Sequence, residues 1–469
     1  MWRLQPPSLQ QIQSFHPLGE MGLVFFFFSL SFSLLLGASE SADKSCYAQF
    51  QGDQHHLNAS GLHLTLHHVH GPCSPFSAPP LPFSDLLRHD ELRVRSLNSR
   101  LTRKKPIKSP LDPVQPESIN LPMNPGQSVS VGNYVAKIGL GTPSRAYIVV
   151  VDTGSSLSWI QCQPCRVSCH PQQGPIFDPA SSNTYRASTC KSDECMGLPS
   201  ATLNPNGCTS SNTCLYQASY GDGSMSVGYL SRDTLALNSG QSVPGFIYGC
   251  GQDNEGLFGA SAGLVGLARN KLSMLAQLAP KYGYAFSYCL PTTASTGYLS
   301  IGASAVPGAK YTNMYSSVGA SLYSLKLTSI EVGGRALALS GRAYGGPTII
   351  DSGTVISRIQ PAVYDALSRA VARAMAGVAR APGYSILDTC FKGSAARAGA
   401  PAVKMVFEGG AELDLKPQNL LIDIDSGTTC LAFAKASGVA IVGNRQQQTF
   451  RVVYDVARSK IGFAPGGCS

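Results

Sequence analysis

The sequence predicts a mainly β protein folded as two similar β-rich lobes, with its working site in the cleft between them. Three observations carry this. Runs rich in Val, Ile, Thr and Tyr, at 134–140, 147–152, 245–248, 348–350 and 451–454, alternate with turn residues in a chain of 469 residues holding 48 Gly and 31 Pro. β-branched and aromatic side chains fit a pleated sheet, and Gly and Pro punctuate it. Two apolar runs end in matching triplets, Asp152-Thr153-Gly154 and Asp351-Ser352-Gly353, about two hundred residues apart. Each triplet is followed roughly a hundred residues later by two apolar residues and Gly, Leu264-Val265-Gly266 and Ile441-Val442-Gly443. A duplicated lobe that threads a strand behind each triplet turn explains the repeat.

Taken in order, residues 1–40 read as a signal peptide. About fifteen apolar residues follow Met21, and Gly-Ala-Ser-Glu-Ser-Ala closes the block. An uncleaved signal anchor is the alternative, although the block is short for a bilayer span. Residues 41–120 read as a removable pro-segment. They hold seven of the nine histidines and a basic stretch that includes Arg103-Lys104-Lys105. Residues 85–103 carry apolar side chains at helical spacing, and Ser109-Pro-Leu-Asp-Pro-Val-Gln-Pro follows as an extended linker. Basic side chains here are suited to pair with an acidic cleft until cleavage or a pH change breaks the contact. A solvated helix and tail is the bland alternative. Asn58 is the glycosylation candidate, since Asn58-Ala-Ser60 is the one Asn-x-Ser/Thr site.

Residues 121–315 form the expected first lobe and 316–469 the second. Short helical patterns occur at 272–278 and 362–375. Twelve of the fourteen cysteines lie from Cys162 onward, enough for six disulfides. The Cys162, Cys165, Cys169, His170 cluster also fits zinc. A secretory leader and dense cysteines favour disulfides, so no metal and no cofactor are expected. The net charge is +9, yet the body shows no basic stripe interleaved with aromatics and is not read as a nucleic-acid binder. A Ser–His or Cys–His mechanism in the body would depend on His170 alone, which disfavours nucleophilic catalysis.

The triplets carry the chemistry. A buried strand ending in Asp-hydroxyl-Gly makes a tight turn that presents a carboxylate at a cleft. Two such turns face to face bring Asp152 and Asp351 together, and close carboxylates share one proton. A half-protonated pair holding a water is built for general acid–base hydrolysis. Either Asp taken singly is equally a turn cap. Asp425-Ser426-Gly427-Thr428 repeats the letters of the second triplet but lies too close to Gly443 to found a lobe. It reads as an acidic hairpin turn.

These residues resemble the pepsin-like aspartic endopeptidases, and the likeness spans about residues 134–468. The opening strand Tyr134-Val-Ala-Lys-Ile-Gly-Leu-Gly-Thr-Pro143, both triplets, the flap-like Tyr220-Gly-Asp-Gly-Ser-Met225 and the late Ile441-Val-Gly-Asn-Arg445 occur in the family's order. The cysteine-rich insertion before residue 220 is similar to the plant nepenthesin-type enzymes. His70-Gly-Pro-Cys-Ser-Pro75 resembles a branch that includes chloroplast-nucleoid DNA-binding proteases.

The resemblance implies a bilobal pepsin-like fold with Asp152 and Asp351 as the catalytic pair. It implies that Thr153 and Ser352 bond across the lobes, and that Ser155 and Thr354 donate to the outer carboxylate oxygens. Tyr220 becomes the flap tyrosine and Trp159 its hydrogen-bond partner; ordinary core aromatics are the alternative. Gly154 and Gly353 leave room for the substrate backbone. Cys390 and Cys430 are the expected second-lobe bridge. The expected partners are polypeptide substrates and the chain's own pro-segment, with a monomer and no membrane span after leader removal. The expected location is secreted or vacuolar, with the chloroplast as alternative. Two rivals stand beside the peptidase: a DNA-binding protease using the basic region from Arg88 to Lys108, and a non-catalytic inhibitor on the same fold.

Overall fold

The structure is a computed structural model and describes residues 62–71, 73–76, 82–102, 134–220, 223–237, 240–293, 295–302, 306–315 and 321–468. The expected leader, Asn58, the basic run 103–108 and the linker lie outside the described residues.

The architecture is mainly β. The strand Arg145–Asp152 is buried from Tyr147 onward, so both of its faces meet side chains rather than water. Tyr147, Val149 and Val151 enter the main core, while Ile148 and Val150 pack on the other face with Trp159 and Tyr216. This is the continuous apolar signature of a central strand. Gly263–Gly266 runs parallel beside it, with Gly266 opposite Asp152. The second half repeats the device on a smaller scale. Thr348–Ile350 is flanked in parallel by Ile441–Val442, with Val442 opposite Ile350. Close approach explains the glycine that ends each motif. A Cβ on Gly266 would stand 2.4 Å from the Ser156 carbonyl oxygen, and one on Gly443 would stand 2.7 Å from that of Val355. Each glycine therefore lets its strand run against the loop that follows a triplet.

The remaining expected elements appear with shifted ends, as Met274–Tyr282, Pro361–Ala374, Ser242–Glu255 and Arg451–Asp455. The decoy at Asp425 is a hairpin turn between Leu421–Asp425 and Thr428–Leu431, closed by the Gly427 N–H donating to Asp425 Oδ1 at 2.8 Å. Disulfides join Cys162–Cys250, Cys165–Cys169, Cys190–Cys208, Cys195–Cys214, Cys289–Cys468 and Cys390–Cys430. The zinc alternative for the Cys162 cluster is thereby overturned, because its three sulfurs are all spent in disulfides. Among the described residues no group of His, Cys, Asp and Glu could hold a metal. No described helix is long and apolar enough to cross a membrane.

Two upstream elements dock on this frame. The strand Leu62–His68 inserts between Thr296–Ile301 and Tyr134–Leu140, antiparallel to both. Its period-two pattern drives Leu62, Leu64 and Leu66 into the main core. The helix Phe83–Thr102 then lays a stripe across the cleft. Leu87, Val94 and Leu97, at helical spacing, enter cores built by the second half. Leu87 joins Ile356, Ala432 and Ala434, and Val94 with Leu97 joins Leu322, Ile349 and Ile441.

Candidate active site

The strands Arg145–Asp152 and Thr348–Ile350 deliver Asp152 and Asp351, 2% and 1% exposed, to the floor of one cleft. The turns close locally. The Gly154 N–H donates to Asp152 Oδ1 at 2.9 Å and the Gly353 N–H to Asp351 Oδ1 at 3.4 Å. The expected bond across the halves is present and reciprocal. The Ser352 N–H donates to Thr153 Oγ1 at 2.9 Å, the Thr153 N–H to Ser352 Oγ at 3.3 Å, and the two hydroxyls stand 3.1 Å apart. Thr354 Oγ1 donates to Asp351 Oδ2 at 2.6 Å. Behind the turn, Gln447 Nε2 donates to the carbonyls of Asp351 and Val442, and Asn444 Nδ2 to that of Ser352. Asn444 belongs to the late motif read from the sequence but was given no role there, and Gln447 lies outside every motif.

Ser155 requires a correction. Its hydroxyl is buried without a hydrogen-bond partner and does not reach the Asp152 carboxylate. Ser155 engages the fold through its carbonyl, which accepts from the Ala268 N–H at 2.9 Å.

Arg93, on the helix Phe83–Thr102, is the centre of the arrangement. Its Nη2 donates to Asp152 Oδ1 at 2.6 Å and to Asp351 Oδ1 at 2.8 Å, and its Nε donates to Asp351 Oδ2 at 2.8 Å. Gly154 and Gly353 make the space for it. A Cβ on Gly154 would lie 2.7 Å from Nη2, and one on Gly353 would lie 2.2 Å from Cζ. One cation therefore bridges both carboxyl groups. Burial pushes the Asp351 carboxyl up, but Arg93, Thr354 and the Gly353 N–H together hold it below its ordinary value. Arg93 stays protonated: burial disfavours its charge, and the two carboxylates more than restore it. While the helix is docked, a guanidinium occupies the space between the two carboxyl groups.

The helix is fixed on both sides of Arg93. Asp90 Oδ1 accepts from the Val355 N–H at 2.5 Å, and its Oδ2 accepts from the Ile356 N–H at 3.2 Å and pairs with Arg358 at 3.0 Å. Asn98 Oδ1 accepts from the Val439 N–H at 3.1 Å, and Arg100 Nη1 donates to the Gly154 carbonyl at 2.7 Å. Sequence reading took Arg93 and Arg100 as part of a general basic region. A sharper signal was available in Arg358, a charge set inside the apolar run Val355-Ile-Ser-Arg-Ile359, which demands a buried partner. Within the region proposed for DNA, Arg93 and Arg100 face the cleft, while Arg88 and Arg95 are 51% and 69% exposed. Over the cleft, Trp159 Nε1 donates to the Tyr220 hydroxyl at 2.7 Å, and Phe258 meets both rings edge-on. Sequence reading did not mark Phe258.

Comparison with known proteins agrees with this geometry. Residues 134–303 match the family model described as xylanase inhibitor N-terminal, and residues 322–465 the one described as xylanase inhibitor C-terminal. An aspartyl protease family protein of Arabidopsis thaliana is 41% identical over 422 residues, covering 87% of this chain and 88% of that protein. The aspartic proteinase nepenthesin-2 of Nepenthes gracilis is 34% identical over 401 residues, covering 81% and 85%. Among solved structures, basic 7S globulin from soybean superposes with a TM-score of 0.57 at 23% identity, covering 72% of this chain and 92% of that one. Conglutin gamma from lupine seeds gives 0.56 at 21%, covering 70% and 90%. At that identity these two establish the fold alone.

Proposed function

The chain belongs to the plant pepsin-like aspartic protease family, and from that premise we propose that it is an aspartic endopeptidase made as a secreted zymogen, held inactive by its own helix Phe83–Thr102. The observation that carries the reading is the single guanidinium of Arg93 bonded to both Asp152 and Asp351. Two acidic groups brought within reach of one nitrogen are close enough to share a proton once that nitrogen leaves.

With the helix displaced, the ionised carboxylate takes a proton from a bound water, and the resulting hydroxide attacks the scissile carbonyl carbon. The protonated carboxyl gives its proton to the carbonyl oxygen. The tetrahedral diol collapses as the amide nitrogen accepts a proton and leaves as the amine. Thr153 and Ser352 hold the turns at a fixed separation, and Thr354 supports the charged form of Asp351. Tyr220, anchored by Trp159, closes over a substrate bound as an extended strand. Residues up to about 120 act as leader and pro-segment, and the two lobes divide near residue 315.

The family models keep an inhibitor reading in view. Retention of both Asp residues, the Thr153–Ser352 bridge and the Trp159–Tyr220 bond supports catalysis over it. The test is cleavage of a denatured protein by the matured chain between about pH 2.5 and 7. Acid-favoured cleavage, blocked by pepstatin and absent in Asp152→Asn, is expected. A matured, folded chain inert at every pH would leave the inhibitor reading standing.

A further inference from the structure

Arg358 is 1% exposed, on the short strand Ser357–Ile359. Its carboxylate partners, Asp90 at 3.0 Å and Glu91 at 3.3 Å, both belong to the helix Phe83–Thr102. From the body it meets the carbonyl of Ile356, to which Nη1 donates at 2.6 Å. That bond fixes the guanidinium plane and aims Nη2 at the helix. The Asp90 carboxylate is held by three donors at once, the Val355 N–H, the Ile356 N–H and Arg358 Nη2. Those donors follow directly on Thr354, which bonds the catalytic Asp351. Asp90 is one helical turn from Arg93, a rise of about 5 Å. Asp90, Arg93, Asp152, Gly353 and Val355 line one cavity, so the carboxylate socket adjoins the dyad.

All three donors lie in the second half of the body, and the carboxylate they hold lies on the element that must leave. Departure of the helix leaves a buried, rigid fork and two main-chain N–H groups facing an open cleft. A charge-assisted bond to a carboxylate is stronger than one to an amide, and a buried guanidinium without an anion is costly. We propose that Arg358, with the Val355 and Ile356 amides, forms a substrate subsite that selects an acidic side chain, Asp or Glu, of an extended polypeptide. Asp90 occupies that subsite in the uncut chain as a stand-in for the substrate side chain. The inference rests on the peptidase reading above.

The test takes full-length chain, matures it, and compares paired peptides that differ only by Glu or Gln at successive positions around the scissile bond. The subsite predicts one position at which Glu exceeds Gln in kcat/KM by about tenfold near pH 5, where a free Glu is ionised. The ratio collapses toward one near pH 3, as Glu takes up its proton. Arg358→Met abolishes the ratio at pH 5, and Arg358→Lys, which keeps the charge, retains part of it. Matured wild type that cleaves both members of every pair equally at pH 5 overturns the subsite and leaves the peptidase reading intact. So does an unchanged ratio in Arg358→Met. If the Met variant does not fold, the wild-type pH dependence of the ratio and the Lys variant decide. Wild type that cleaves no peptide at any pH overturns the peptidase reading and the subsite with it.

Discussion

Arg93 sits where the catalytic water of the proposed mechanism would have to act, and its charge sets how the cleft responds to acid. Asp351 has a depressed carboxyl in the docked state. A depressed acid stabilises docking above its ordinary range near pH 4 and loses that contribution as the pH falls through the folded value. Asp90 anchors the docked helix through Arg358 and the two N–H groups. Replacing Asp90 by Asn weakens that anchor. The pH at which the full-length chain becomes proteolytic should therefore move upward in Asp90→Asn, as read from activity after incubation at graded pH. An unchanged or lowered midpoint would contradict this assignment. Thr354→Val deletes the 2.6 Å bond to Asp351 and should cost about 1.5–3 kcal/mol in kcat/KM, as for a hydrogen bond to a charged group. The pairing of Asp152 with Asp351 was legible from the matched triplets, whereas the Thr153–Ser352 bridge and the Tyr220–Trp159 bond were expected from the family resemblance. The place of the Ser155 hydroxyl was not legible, because which way a turn hydroxyl points is set by the packing around it.

Among the elements, the strand Leu62–His68 holds a place that sequence reading left unassigned. Leu62, Leu64 and Leu66 alternate strictly with His63 and Thr65, but three apolar positions make a short signal. The pairing partners lie some seventy and two hundred and thirty residues away, and no local pattern reports them. The helix was legible from its apolar spacing, whereas its target was not, since a helix stripe does not name the surface it covers. Leu64→Ala removes a buried side chain between two sheet partners and should cost about 2–5 kcal/mol, read as a lower Tm of the full-length chain. The strand also carries pH sensitivity. Burial, reinforced by His70 and Arg445, pushes His68 down to about 3. A base with a lowered folded value leaves the unfolded state binding more protons, so its stabilising effect is complete above about pH 6.5 and declines toward the folded value. His68→Gln should flatten the fall in Tm between pH 7 and 4, and a slope as steep as wild type would remove His68 from the account. The Cys390–Cys430 disulfide ties adjacent strands of the second half across a separation of 40 residues. Replacing both with Ala should cost about 2–4 kcal/mol.

For the molecule as a whole, the doubled architecture explains how one helix reaches both triplet turns at once. Each half contributes one strand, one Asp-hydroxyl-Gly turn and one flanking glycine, and the two turns meet through Thr153 and Ser352. The duplication was legible because an Asp-hydroxyl-Gly triplet, followed roughly a hundred residues later by two apolar residues and Gly, recurs in each half. The docked helix was only partly legible, as a basic segment suited to an acidic cleft, because which arginine meets the two carboxyl groups is fixed by docking geometry. The central claim is that a single guanidinium separates a competent dyad from its substrate. The most direct measurement is proteolysis by uncut full-length Arg93→Gln near pH 5, set beside uncut wild type and the Arg93→Gln, Asp152→Asn double variant. The account predicts cleavage by Arg93→Gln at least about tenfold above uncut wild type, with none from the double variant. A folded, uncut Arg93→Gln no more active than wild type, or a double variant that still cleaves, would contradict it.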